Sequence, residues 1–430
     1  MTSKLEDLIA KLCPNGVEYH SLEELFVIKN GYTPSKSNSE FWTDGTVPWF
    51  RMDDIRAHGR VLSDSIQHVT KSAVKSGKLF PANSIILATT ATIGEHALVI
   101  VDSLANQRFT FFSKRESLSF DLDMKYVFYY FFIIDEWCKR NVNAASFASV
   151  DMPRLRKLEI PVPPLEVQAE IVRILDMFTE LTAELTAELT AELTARSKQY
   201  EYYRDTLLTF DDNNPLHSLI SRYCPNGVEY KNLKELGSFF GGLTGKNKND
   251  FVDGNARYIT YKNVYCNAAV DFSANDFVKV SDGEKQNVLQ YGDVIFTGSS
   301  ETPDECGFSS AVTCHLNEEV YLNSFCFAFR FNDVSVMNPD FSKYLFRSTA
   351  LRSQIKRTAN GVTRFNVSKA LMSKVTIPIP PLEVQRQIVQ ILDRFDALCN
   401  DLTQGLPAEI EARRKQYEYY RDQLLNFKRA

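Results

Sequence analysis

A chain of 430 residues, 44% hydrophobic and 24% charged, has the composition of a soluble globular protein with room for two or three domains, each with its own core. Eight cysteines without a C-x-x-C pair and six unclustered histidines speak against a disulfide framework and a zinc site, and point to a reduced cytoplasm. The net charge of −5 excludes a uniformly basic nucleic-acid binder, but residues 26–150 sum to about +2 and residues 237–376 to about +1, so the acidity lies mostly in the connecting segments.

In chain order, the first segment (1–25) interrupts its apolar residues with Lys4, Glu6, Asp7 and Lys11, unlike a signal peptide. It ends in CPNGVEY from Cys13 and an S-L-x-E-L tail closing at Leu25. A variable segment (26–159) opens with GYTP at Gly31. It holds strand-like IILATTATIG from Ile85 and a helical stretch from Tyr126 to Lys139. Its longest apolar run, Tyr126 to Ile134, is too short to cross a bilayer.

A connector (160–211) then begins with IPVPPLEVQ. Pro163-Pro164 stop what precedes and set the first turn of a helix. Ile171, Ile174, Leu175 and Phe178 follow at helical spacing, with the other connector as their expected packing partner. Next come three perfect TAEL tetrads, and the connector closes on KQYEYYRD from Lys198 and Phe210.

The whole pattern then returns. CPNGVEY recurs at Cys224 in a segment 212–236, a second variable segment (237–376) opens with GLTG at Gly242, and a last connector (377–430) carries IPIPPLEVQ from Ile377 and KQYEYYRD from Lys415. Ordered repeats of this length establish an internal duplication. Mixed strand and helix signals make each variable segment an α+β domain. Each connector, read as roughly 46 helical residues, would span about 69 Å.

Leu181, Leu185, Leu189 and Leu193, with Leu398, Leu402, Leu406 and Ile410 at aligned positions, form a candidate interhelical seam. A period of four exceeds 3.6, so this stripe drifts about 40° per tetrad. Gly405 and Pro407 predict a kink in the second connector.

The doubled IPxPPLExQ block opening a long helix, beside two divergent domains beginning G-x-T, resembles the specificity subunits of type I restriction–modification enzymes along the whole chain. The TAEL tetrads match a subgroup with such repeats in the central conserved helix. The resemblance implies two target-recognition domains reading the halves of an asymmetric bipartite DNA site, separated by antiparallel conserved helices. It also implies two methylating subunits and additional restriction subunits as partners. S-adenosylmethionine would sit on the former, ATP and magnesium on the latter, and no cofactor on this chain. A coiled-coil adaptor that joins proteins without reading DNA is the alternative.

Arg, Lys, Asn and Gln in polar loops have the donor geometry for base edges. Candidate DNA contacts are Lys36, Arg51, Asp53, Lys71, Lys75, Lys78 and Arg108 in the first domain, and Lys246, Lys248, Lys262, Asn263 and Arg364 in the second. Lys139-Arg140 and Lys356-Arg357 recur just before the connectors, as phosphate contacts or as charges complementing a helix C-terminus. Thr89, Thr90 and Thr92, facing Ser299 and Ser300, touch DNA or stabilise their own turns. Tyr200, Tyr203, Tyr417 and Tyr420 serve an interface, either between connectors or with a partner subunit. GGLTGKN at Gly241 misses the spacing and the hydroxyl of a phosphate-binding loop, and no amino-methyltransferase motif is present. The reading is noncatalytic.

Overall fold

The computed structural model describes residues 2–143, 148–400 and 405–430. The chain divides into two compact units, Met1–Ala187 with Glu411–Ala430, and Glu188–Ile410. Each unit therefore combines one variable domain with helical segments from both connectors.

In the first domain, β1 (Phe26–Asn30), β2 (Val61–Leu62), β3 (Ser84–Ala88), β4 (His96–Val99) and β5 (Phe109–Lys114) form a sheet in the order β1-β5-β3-β4-β2. A hairpin of β6 (Val142–Asn143) and β7 (Ser149–Val150) lies beyond it. In the second domain, β8 (Gly237–Gly241), β9 (Val294–Thr297), β11 (Ser309–Ala311) and β12 (Cys326–Phe331) repeat the order as β8-β12-β9-β11. There β10 (Ser299–Ser300) joins the hairpin β13 (Ala359–Asn360) and β14 (Phe365–Val367).

Each domain also carries a three-stranded sheet with one antiparallel and one parallel neighbour. It is built on Val47–Phe50 in the first domain and on Ala256–Ile259 in the second. Both domains are α+β with one topology, so the divergent segments keep the strand order while changing the side chains.

The repeated motifs hold this frame together. Tyr19–Ser21 pairs with Glu159–Pro161, and Glu229–Asn232 with Thr376–Ile379, so the CPNGVEY block and the strand leading into the Pro-Pro pair form a clip in each copy. The S/N-L-x-E-L tail is a capping box: Ser21 and Asn232 each exchange bonds with the glutamate three residues on.

The glutamine of PPLEVQ is fully buried in both copies. Gln168 donates to Pro163 O (2.7 Å) and accepts from Asp123 N (2.8 Å), which locks the start of α2 (Met124–Arg140). Gln385 likewise donates to Pro380 O (2.7 Å) and accepts from Asn338 N (2.7 Å), the cap of α4 (Pro339–Leu345).

The connector of the first copy is one helix, α3 (Leu165–Leu207), of 43 residues. The second gives α6 (Leu382–Asn400) and α7 (Leu406–Leu424), with Pro407 in the first turn of α7, where its missing N–H is harmless. Ile171, Ile174 and Leu175 meet the expectation in part: their core takes in Leu425 of the other connector, with Leu424 and Phe427 packed against it, but belongs mostly to their own domain. They join Tyr126, Phe131 and Ile134 of their own domain in one core. Ile388 and Leu392 do the same with Phe341, Tyr344 and Leu345, in a core that also includes Leu207 and Leu208 of the first connector. Full burial of each such side chain is worth about 1.5–3 kcal/mol, which ties helix to domain. Tyr129 Oη donates to Asp176 (2.6 Å) and Tyr344 Oη to Asp393, repeating the same anchor.

Within the first unit α3 and α7 run antiparallel: Phe178 meets Tyr420 (6.4 Å between ring centroids), and Thr179 meets Tyr417 Oη (2.9 Å). Within the second unit, Tyr203 of α3 stacks on Phe395 of α6 (5.2 Å).

The leucine stripe does not form the expected seam throughout. Leu185, Leu189 and Leu193 are half-buried, but Leu181 is 58% exposed and Leu398 38% exposed. The shielded positions Thr182, Leu185, Leu189, Leu193, Arg196, Tyr200 and Tyr203 advance by threes and fours. A strict period of four drifts off that line, so Leu181 sits at its edge, bordering a groove shared with Gln416 and Tyr417 of α7. Leu406 is buried and Ile410 half-buried, while Leu402 lies outside the described residues.

Candidate nucleic-acid interface

In both domains the ends of the three central strands open onto a rim of exposed polar loops. The rim begins where G-x-T leaves the first strand. A Cβ on Gly31 would lie 2.4 Å from Ala105 O, and one on Gly242 would lie 2.1 Å from Asn323 O. Only glycine lets the backbone cross the loop that feeds β5 or β12, and this places Thr33 and Thr244 at the edge.

In the first domain Thr33 Oγ1 hydrogen-bonds Gln107 Oε1, beside the exposed Arg108. Asn106 N donates to Phe50 O (3.0 Å), which brings Arg51 to the same edge. The Arg51 guanidinium lies 5.7 Å from the Trp49 ring, with its Nε buried and without a hydrogen-bond partner. Lys75 Nζ sits 4.6 Å from the Tyr32 ring, and Tyr32 Oη accepts from Lys75 N (2.8 Å). Three cations and an amide thus line one edge, the pattern that binds phosphates and guanine edges. Gln107 and Asn106 were not among the candidates from sequence. Their signal was position alone, on the loop before β5.

Three matched positions of the second rim are neutral. Thr260 stands where Arg51 stands, Ser324 where Gln107 stands, and Phe325 where Arg108 stands, with Asn323 N donating to Ile259 O (2.9 Å) in place of the Asn106 bond. Near the place Lys75 occupies, Gln286 bonds both the N and O of Thr244. Arg364 reaches in from the β13–β14 hairpin, donating to Ser299 Oγ (3.0 Å) with its guanidinium 5.7 Å from the Phe325 ring. Lys369, missed from sequence, adds an exposed cation near Phe327 and Gly241.

Several candidates have structural duties. Asn263 is buried and its side chain bridges Asp271 N and O, a hub that Asp54 provides in the first domain; it is not placed to read a base. Lys246 is shielded against Glu284, whose carboxyl is held at about 2 by Lys246 first and by Gln286 and Ser281 N next. Lys356 pairs with Asp304, and Lys139 with Glu136 (2.6 Å). Asp53 is exposed 3.9 Å from Arg51 and Arg56.

Thr89 is buried and shares a hydrogen bond with Thr110 (3.0 Å), while Ser300 bonds Glu305 (3.0 Å), so both side chains serve their turns. Thr90 forms an isolated bridge with Ser149 that ties the β6–β7 hairpin to the rim. Lys36, Lys71, Lys78, Arg140, Lys248, Lys262 and Arg357 are exposed.

Tyr203 stacks on Phe395, Tyr417 meets Thr179, and Tyr200 is half-buried, its phenol pushed upward by burial. These three serve contacts within the chain. Tyr420 remains 47% exposed beside an apolar groove of 360 Å³ lined by Ile9, Ile174, Phe178 and Phe427, and Tyr202 and Tyr419 are more exposed still, at 67% and 60%. Among the described residues no group of three or more metal-ligating side chains occurs, and no helix is long and apolar enough to cross a membrane.

A type I restriction modification DNA specificity domain matches residues 14–195 and again 225–412. The chain belongs to the type I restriction enzyme specificity subunits. It is 55% identical over 204 residues to the EcoprrI specificity subunit of Escherichia coli, a match spanning 46% of this chain and 51% of that relative. It is 34% identical over 331 residues, 71% of each chain, to the EcoR124I/EcoR124II specificity subunit of the same species.

Among solved structures, a chain from work on complex assembly and conformational transition of the type I R-M system aligns with a TM-score of 0.62 at 17% identity, covering 96% of this chain and 98% of that one. The HsdS subunit from Thermoanaerobacter tengcongensis aligns at 0.50 and 17%, covering 96% and 97%. These likenesses show the fold. As a specificity subunit the chain is the noncatalytic, DNA-recognising member of its system.

Proposed function

We propose that the two rims read the two halves of an asymmetric bipartite DNA site. The observation that supports this most directly is the matched geometry with unmatched chemistry: one strand order, one glycine crossing and one rim position in each domain, but Arg51, Gln107 and Arg108 facing Thr260, Ser324 and Phe325. A shared frame with different donors at equivalent points is what two different half-sites require. Lys36, Lys71, Lys75 and Lys78 hold the backbone beside the first rim, and Lys248, Lys262 and Lys369 beside the second.

In this reading the helices set the uncontacted spacer and dock two methylating subunits, with restriction subunits completing the assembly in the cytoplasm. The exposed tyrosines Tyr202, Tyr419 and Tyr420 and the apolar groove beside Tyr420 are the docking surface. S-adenosylmethionine, ATP and magnesium belong to those partners.

Removing one TAEL tetrad shortens α3 by about 6 Å and turns it about 40° beyond a full turn. The expected result, read by single-molecule methylome sequencing of a host carrying the full gene set, is a shorter spacer between unchanged half-sites. Changed half-sites with an unchanged spacer would sink the proposal.

A further inference from the structure

The second rim carries two features that charge-based reading does not use. Val362, at the tip of the β13–β14 hairpin, is 92% exposed, and Phe325, on the loop before β12, is 57% exposed. The hairpin is tightly turned: Gly361 has φ +149°, and a Cβ there would lie 2.0 Å from Arg364 O. The turn presents Val362 outward at the tip. Its base is fixed to the rim because β14 pairs with β10, with Ser299 opposite Asn366 and Ser300 opposite Phe365.

Arg364, two residues on, lays its guanidinium against the Phe325 ring and bonds Ser299 Oγ. Phe325 is itself fixed by Gly298 N, which donates to its carbonyl (2.7 Å), and by Asn323 Oδ1, which accepts from its N–H (2.8 Å). A phenyl group thus stands in water where the first domain presents Arg108, packed by an arginine of the hairpin whose tip, two residues away, carries an exposed isopropyl group. Covering either group with an apolar partner would be favourable.

In the major groove the one apolar group a base pair offers is the thymine C5-methyl. We infer that Val362 and Phe325 recognise a thymine methyl in the half-site of the second domain. Arg364 acts as the positioning residue that holds the ring and the hairpin together. This rests on the bipartite reading above, and it assigns the specificity of one half-site to apolar contact where the first domain relies on charged donors.

The test uses the full chain assembled with its methylating subunits and duplexes carrying the methylome-defined site. Deoxyuridine replaces thymidine one position at a time, which removes the methyl and keeps every hydrogen bond. One position in one half-site is expected to weaken binding about fourfold, the effect of returning one methyl-sized group to water. The same replacement is expected to have no effect on a Val362→Ala complex. Val362→Thr, which keeps one methyl, is expected to fall between. Val362 is almost wholly exposed, so these variants keep the fold.

If deoxyuridine is tolerated everywhere while transversions in both half-sites still abolish binding, the bipartite reading stands and the methyl contact falls. If Val362→Ala weakens thymidine and deoxyuridine duplexes equally, the side chain is a wedge between base steps and the inference is overturned. A half-site without thymine on either strand overturns it as well. If transversions have no effect either, the bipartite reading itself fails.

Discussion

The two recognition domains share their scaffold and differ at its edge. Gly31 and Gly242 make the same backbone crossing, Asp54 and Asn263 brace the same loop, and Gln168 and Gln385 lock the same helix start. Arg51 and Arg108 at one rim face Thr260 and Phe325 at the other. The second domain is not poor in cations, but it uses them internally. Arg347 donates to Ser309 O (2.8 Å) and Asn267 O (2.9 Å), with its pKa lowered to about 10 by burial; Arg330 grips Asp293, and Lys246 grips Glu284. A rim whose side chains carry little of the packing can change its reading while the fold stays fixed. This separation of duties explains why near-identical connectors accompany divergent domains.

The comparison breaks most visibly under paired substitutions. Arg51→Ala with Arg108→Ala removes two charged donors, and each good base contact is worth about 1–3 kcal/mol. The expected loss in affinity of the assembled complex is therefore on the order of 2–6 kcal/mol. To the extent that the two arginines hold phosphates, the salt dependence falls by up to about 2 in slope. Thr260→Ala with Phe325→Ala removes no charge, so its salt slope is expected to match that of the parent. Affinity measured from about 50 to about 200 mM salt decides: equal slopes for the two double variants would remove the charge distinction between the rims.

A smaller effect tests the shared frame. Gly31→Ala and Gly242→Ala each force a methyl group against a carbonyl oxygen, and overpacking of this kind costs about 1–3 kcal/mol. Thermal unfolding should show comparable losses for the two variants. A loss confined to one domain would mean that the crossing is needed in only one of them.

Much of this frame was legible from sequence. The duplicated blocks gave the repeat, the Pro-Pro pairs gave the helix starts, and the alternation of strand and helix signals gave α+β. The packing partners were less legible, because a helical apolar face states that something covers it and leaves open what does. The spacing of Ile171 and Leu175 points to the other connector, and Leu425 does lie in their core, but most of that core comes from their own domain. Leu181 shares its period with Leu185 and borders the same groove, but a strict period of four drifts relative to the helix, so Leu181 lies at the exposed edge of that stripe.

At the rims, residue type identified Arg51, Lys75 and Arg108 as candidates, whereas Asn263 and Lys246 have the same donor chemistry and fill internal roles. Whether a polar side chain faces inward depends on loops brought together from distant parts of the chain. Gln107, Phe325 and Val362 became visible only through that arrangement.

The smallest expected effect lies in the frame itself, at a position where the copies differ. Glu170 is 4% exposed and is bound by Arg173 (2.7 Å) and Lys4 (2.7 Å), which hold its carboxyl at about 2, Arg173 contributing most; the aligned residue in the second copy is Gln387. A carboxyl whose folded pKa is depressed contributes stability that is present above its unfolded value of about 4.3 and lost as pH falls toward 2. Lys4 and Arg173 are 68% and 51% exposed, so solvent screening reduces the net contribution to about 1 kcal/mol or less. Glu170→Gln makes the first copy resemble the second at this point. Its unfolding midpoint is expected to fall slightly below that of the parent at pH 7, and the gap should close as the pH is lowered below about 4. A gap that persists unchanged at low pH would assign the effect to packing and remove the ion pair as the point at which the two frames differ.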